Sequence, residues 1–120
     1  MSYVDGFVVA VPTAKMEPYK DIAERASKVF VEYGALHIAE CWGDDVPEGK
    51  LTSFPMAVKC EQDETVVLSW IVWPSKEVRD AGMAKVMDDP RMAEAMKSAP
   101  FDTKRMIFGG FRTIVDHRAD

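Results

Sequence analysis

Two extended runs in this chain are apolar on both of their faces, and that constrains the fold more than any other feature. From Tyr3 to Val11, residues Phe7, Val9 and Val11 share one parity, and Val4, Val8 and Ala10 the other. From Val66 to Trp73 the pattern repeats, with Val66, Leu68, Trp70 and Val72 against Val67, Ile71 and Trp73. A strand that exposes one face to water normally alternates apolar with polar residues, so two apolar faces require cover on both sides.

The helices needed for that cover are few. A period of three and four starts near Met16, with Pro18 tolerable only in a first turn. It sets Tyr19, Ile22, Ala23, Ala26, Val29, Phe30 and Tyr33 on one stripe. Lys20, Asp21, Glu24, Arg25, Lys28 and Glu32 form the opposite, solvated face, and Gly34 supplies the stop. A second helix is expected after Ser75 as N-cap, carrying Val78, Met83, Val86 and Met87 and weakened by Gly82. Asp89-Pro90 opens a short third segment that presents Met92 and Met96. Further strands are expected from Leu36 to Trp42 and from Arg105 to Val115. Thr52 to Cys60 reads as extended, with Pro55 at an edge or bulge, and Gly109-Gly110 as a bulge or close approach. Glu61 to Glu64 reads as a solvated acidic turn.

The order strand, helix, strand, strand, helix, strand is that of an α+β, ferredoxin-like βαββαβ domain with an antiparallel sheet, here one domain over residues 1–120. Its helices can cover only one sheet face. Each large apolar side chain left in water forgoes roughly 1.5–3 kcal/mol of burial, so a homodimer through the bare sheet face is expected.

Charge and composition narrow the partners. With 48% hydrophobic residues and a net charge of −5, the chain can bury a core but has no basic patch for nucleic acid or an acidic membrane surface. It shows no basic leader and no apolar run of membrane-spanning length, so a cytoplasmic location is expected. Cys41 and Cys60 are read as free thiols, too few for a disulfide framework.

A resemblance runs almost end to end. Tyr3-Val4-Asp5-Gly6-Phe7, Glu32-Tyr33-Gly34-Ala35-Leu36, Gly43-Asp44-Asp45-Val46-Pro47 and Thr52-Ser53-Phe54-Pro55 resemble the YbaA-like family of small bacterial proteins, domain of unknown function 1428. So do Ser69-Trp70-Ile71-Val72, Met87-Asp88-Asp89-Pro90-Arg91 and Lys104 to Phe111. The resemblance implies a dimeric α/β barrel without implying an activity. Relatives in that wider superfamily include cofactor-free monooxygenases, lactone isomerases, haem enzymes and ligand-binding regulatory domains, and fold alone does not choose among them.

Candidate chemistry is sparse. His37 lies within a strand and reads either as a satisfied structural or surface histidine or as an acid or base. It shares parity with Cys41, but at about 3.4 Å per residue the two stand roughly 13–14 Å apart, too far for one ion. Asp5, Glu40, Ser69 and Arg105 interrupt apolar strands and need partners if buried. An Asp5 or Glu40 pair with Arg105 is one reading; Arg105 as a binder of a carboxylate or enolate is the other. Trp70, Trp73 and Phe108 could wall a flat pocket for a ring-bearing or acyl ligand, or simply pack. No zinc spacing, Cys-x-x-Cys, nucleophile elbow or phosphate loop occurs, so neither metal nor cofactor is expected. Three functions follow: a binder of a small apolar or aromatic metabolite, a cofactor-independent monooxygenase or isomerase using His37 and Arg105, or a structural dimer without a pocket.

Overall fold

The computed structural model describes residues 2–119; Met1 and Asp120, which end the terminal stretches read from the sequence, lie outside the described residues. Four antiparallel strands, β1 (Tyr3–Pro12), β2 (His37–Trp42), β3 (Glu64–Trp73) and β4 (Ile107–Arg112), form a sheet in the order β2-β3-β1-β4. Four helices accompany it: α1 (Met16–Glu32), α2 (Phe54–Ala57), α3 (Lys76–Asp88) and α4 (Pro90–Lys97). This is the ferredoxin-like arrangement anticipated from the periods.

Local chemistry sets the helix ends. The Ser75 hydroxyl accepts from the Val78 amide at 3.2 Å, and Asp89 caps α4 through the Arg91 amide at 2.8 Å, with Pro90 in the first turn. Gly34 ends α1 at φ +113°, a conformation that costs other residues strain. Gly82 does more than weaken α3, because a Cβ there would stand 2.6 Å from the Trp73 ring and 2.5 Å from the Tyr33 carbonyl oxygen.

Register assigns the faces. Val9 pairs with Val67, Asp5 with Ile71, and Glu40 with Ser69, so these side chains all point toward α1, α3 and α4. On this side Tyr19, Val9, Val11 and Val67 pack together, and Trp73 is fully buried with Ala35 and Ile71. The other face carries Val4, Val8, Ala10, Leu68, Trp70, Val72 and Phe111, by the same alternation.

That second face is not wholly bare. The segment expected to be extended, Thr52 to Cys60, contains the one-turn helix α2, with Ser53 as N-cap accepting from the Met56 amide at 3.1 Å and Pro55 in the first turn. It folds across one end of the sheet, where Val58 becomes fully buried against Val8, Ala10 and Val66. A capping serine and an early proline favour a turn of helix over a strand, and burial of Val58 stabilises the turn where it lies.

Two further expectations are corrected. The last strand is shorter than Arg105 to Val115, because a turn closed by Arg105 N–H to the Asp102 carbonyl precedes it and β1 begins only at Tyr3, opposite Arg112. Gly109 and Gly110 pair in continuous register with Gly6 and Asp5, so there is no bulge. The close-approach alternative holds at Gly110, where a Cβ would meet the Tyr3 ring at 2.8 Å.

Candidate functional site

The stripe of α1 does not seal against the sheet along its whole length. Between Tyr19, Ile22, Ala26 and Phe30 on α1 and Phe7, Val9, Ile38 and Ile71 on the sheet lies a chamber of about 250 Å³. Met87, Met92 and Met96 close it from the α3 and α4 side, with Phe101 and Met106 from the connection to β4. Methionines at such a wall can repack around varied shapes. A groove of about 450 Å³, lined by Met16, Lys20, Glu24, Lys28, Trp42 and Val67, adjoins it and shares Tyr19, Ala23, Ser27, Ile38 and Glu40.

At that shared wall stands a polar unit from three elements. Glu40 Oε1 accepts from Tyr19 Oη at 2.7 Å and from Ser69 Oγ at 2.5 Å. Glu40 itself is exposed on edge strand β2, and the two bonds to Oε1 orient its carboxylate while solvent reaches the rest of the group. Burial first, and the neighbouring carboxylate second, push the Tyr19 phenol far above its ordinary range, so it stays a donor. Ser27, also on the wall, donates to the Ala23 carbonyl at 2.7 Å.

The candidate catalytic pair His37 and Arg105 and the candidate ring wall of Trp70, Trp73 and Phe108 do not form one site. His37 is exposed at the start of β2 on the face away from the chamber, its ring edge-on to Trp70 with centroids 6.4 Å apart. Trp73 sits on the helix side, wholly buried, with Nε1 donating to Asp5 Oδ2 at 2.9 Å. Phe108 is on the helix side too, paired with Phe7 but 70% exposed at the edge strand.

Arg105 pairs with neither Asp5 nor Glu40. It makes two parallel 2.7 Å bonds to Glu64 and a 2.9 Å bond to the Lys59 carbonyl, tying the lead into β4 to the start of β3. Glu64 is thus a paired strand residue rather than part of a solvated turn, and hydrogen bonding to Arg105 holds its carboxyl below the usual range. Asp5 instead takes Arg79, whose Nη2 lies 2.7 Å from Oδ1 and whose guanidinium stacks 5.2 Å from the Tyr3 ring centroid. Among the described residues, no three His, Cys, Asp or Glu side chains are grouped as a metal would need, and no helix is long and apolar enough to cross a membrane.

Glu40 was legible only as an acid interrupting an apolar strand. What identifies its role is the β2–β3 register that places Ser69 beside it, and the α1 packing that brings Tyr19 over both.

The four-stranded antiparallel sheet with α1, α3 and α4 on one face defines the structural class, a ferredoxin-like fold that solved structures share. A monooxygenase candidate for antibiotic biosynthesis from Nitrosomonas europaea aligns with TM-score 0.63 and 12% identity, covering 94% of this chain and 90% of that one. SnoaB, a cofactor-independent oxygenase from Streptomyces nogalater, aligns at 0.55 and 13%, covering 96% and 93%. A dimeric ferredoxin-like protein from an uncultured marine organism aligns at 0.55 and 13%, covering 99% and 100%. At such identities the likeness concerns the fold. The chain belongs to the family described as protein of unknown function (DUF1428), which matches residues 2–103. It is 60% identical over 116 residues to the uncharacterized protein YbaA of Escherichia coli strain K12, covering 97% of this chain and 99% of that one.

Proposed function

We propose that this protein is a cytoplasmic homodimer that binds a small, largely apolar or aromatic molecule in the chamber between sheet and helices. The chamber carries the reading: a cavity of about 250 Å³ walled by aliphatic, aromatic and Met side chains, with one fixed polar unit, has the make-up of a small-ligand site. Dimerisation is supported by the part of the second face that α2 leaves open. There Leu68, Ile107 and Phe111 are exposed and Trp70 is half-buried, and Leu51, Phe54 and Met56 in and before α2 are exposed as well. A two-fold axis would pair this patch with its copy. Native mass spectrometry on gently purified protein tests both parts. A dimer carrying a heat-removable adduct is the expected result; a monomer overturns the dimer. Refusal of every aromatic probe in a thermal-shift panel overturns the ligand site.

A second reading, cofactor-independent oxygenation of an activated aromatic ligand, draws on the fold likeness to SnoaB. In it Glu40 faces the substrate, while Arg105 is engaged by Glu64 and His37 belongs to the other sheet face. Protein-dependent oxygen uptake with a ligand found by the thermal-shift panel distinguishes it from simple binding.

A further inference from the structure

The polar atoms of the chamber wall are almost all consumed within the protein. Tyr19 Oη and Ser69 Oγ both give their protons to Glu40 Oε1, and Ser27 gives its proton to the Ala23 carbonyl. No described residue donates to Glu40 Oε2, and no described cation forms an ion pair with Glu40. The charged groups nearby, Lys20, Glu24 and Lys28 of α1, line the outer groove and not the inner chamber. What the wall offers a ligand is therefore one carboxylate with an oxygen free of protein donors, on edge strand β2 where the chamber meets the groove and where Glu40 is itself exposed to solvent.

We propose that Glu40 determines the specificity of the chamber, selecting neutral ligands with a hydroxyl donor, such as phenols, and rejecting anionic ones. This rests on the small-ligand reading above. A phenol donates to Oε2 in place of water and leaves its ring against Met and aromatic side chains. A carboxylate or phenolate brings a second negative charge beside Glu40, and solvent at this exposed residue screens part of the repulsion but leaves the anion without a donor from the Glu40 unit. Tyr19 is held protonated and its proton is already given to Glu40, so it cannot offset that charge by donating to the ligand. The same geometry disfavours the anion-binding role that the sequence suggested for Arg105, whose guanidinium is occupied by Glu64, Asp102 and Lys59.

The test uses the full chain, wild type and Glu40→Gln, with four probes of one ring size: 4-nitrophenol, 4-nitroanisole, 4-nitrobenzoate and 4-nitrobenzylamine. Calorimetric titrations are run on both sides of the nitrophenol's ionisation, and the phenolate absorbance band is followed on binding. Glutamine keeps an oxygen for Tyr19 and Ser69, so the variant should retain the fold. Wild type should bind the neutral phenol several-fold more tightly than its methyl ether and than the benzoate, less than a buried charged hydrogen bond would give because solvent competes at the exposed Glu40. The bound phenol should ionise at higher pH than the free one, and Glu40→Gln should remove most of both effects. Equal binding of all four by both proteins leaves the small-ligand reading standing and overturns this inference alone. Preference for the benzoate or the amine over the phenol also overturns it. If none of the four binds to wild type, both readings fall.

Discussion

Replacing Gly82 by alanine should destabilise the protein, although helix propensity argues the reverse. Gly82 lies inside α3, where alanine normally gains about 1 kcal/mol over glycine. Its added Cβ would stand 2.5 Å from the Tyr33 carbonyl oxygen, 2.6 Å from Trp73 Cζ3 and 3.1 Å from Cη2. Neither neighbour can retreat cheaply. Tyr33 is the C-cap of α1, and Trp73 is wholly enclosed, tied to Asp5 through Nε1 and set edge-on to Phe30 with centroids 6.3 Å apart. Overpacking of this kind costs about 1–3 kcal/mol, and with backbone among the clashing atoms the upper end applies. After the propensity gain, a net loss of about 2 kcal/mol remains. For a chain of this length that lowers the Tm by roughly 8 °C. Thermal and urea unfolding at matched protein concentration, followed by Trp fluorescence, measures it. An unchanged or raised Tm would refute the packing argument. The double variant Gly82→Ala/Trp73→Phe should recover part of the loss relative to additivity, by at least about 0.5 kcal/mol, because the smaller ring vacates one of the two clashes.

The remaining expectations concern the ion pairs and the open face. Arg79→Met should cost about 3 kcal/mol in urea unfolding by leaving buried Asp5 without its cation, and Asp5→Asn in the same chain should restore part of it. Glu64 has its carboxyl held below the ordinary value, chiefly by hydrogen bonding to Arg105. Its contribution is complete above the unfolded value near 4.5 and is lost as pH falls through the lower folded value. Glu64→Gln should therefore be less stable than wild type at neutral pH, with the gap narrowing in acid; a constant gap from pH 7 to 3 would contradict this. Phe111, whose ring lies over Gly6 and Gly109 and is 60% exposed, belongs to the open face on which the proposed dimer rests. If the proposed dimer forms through this face, Phe111→Asp should give a folded monomer by light scattering and circular dichroism, and an undiminished dimer would move the interface elsewhere.

How far the sequence could be read differs by residue. The α1 stripe, the stop at Gly34 and the caps at Ser75 and Asp89 were legible because each rests on neighbours within about one turn. The strand order followed from alternation and the spacing of turns. Around Ser53 the cap and proline signals were present, but a short apolar run serves a strand or a buried turn equally well. Only the bare patch formed by Val8, Ala10 and Val66 selected the turn, through Val58. The partners of Arg79 and Arg105 were not legible, since each lies more than forty residues from the acid that takes it, Asp5 at 74 and Glu64 at 41.

By itself, then, the sequence determined the element order, the antiparallel ferredoxin-like sheet, the two apolar faces and the absence of any basic or thiol-rich motif, because these are local periodicities and composition. Tertiary structure alone decided that Glu40, Ser69 and Tyr19 converge, that Arg105 is occupied, and that a chamber remains beneath the helices. One register step in β2 would turn Glu40 to the opposite face, and a small change in how α1 lies on the sheet would fill or open the cavity. Both are outcomes of long-range packing, which no local window of residues specifies.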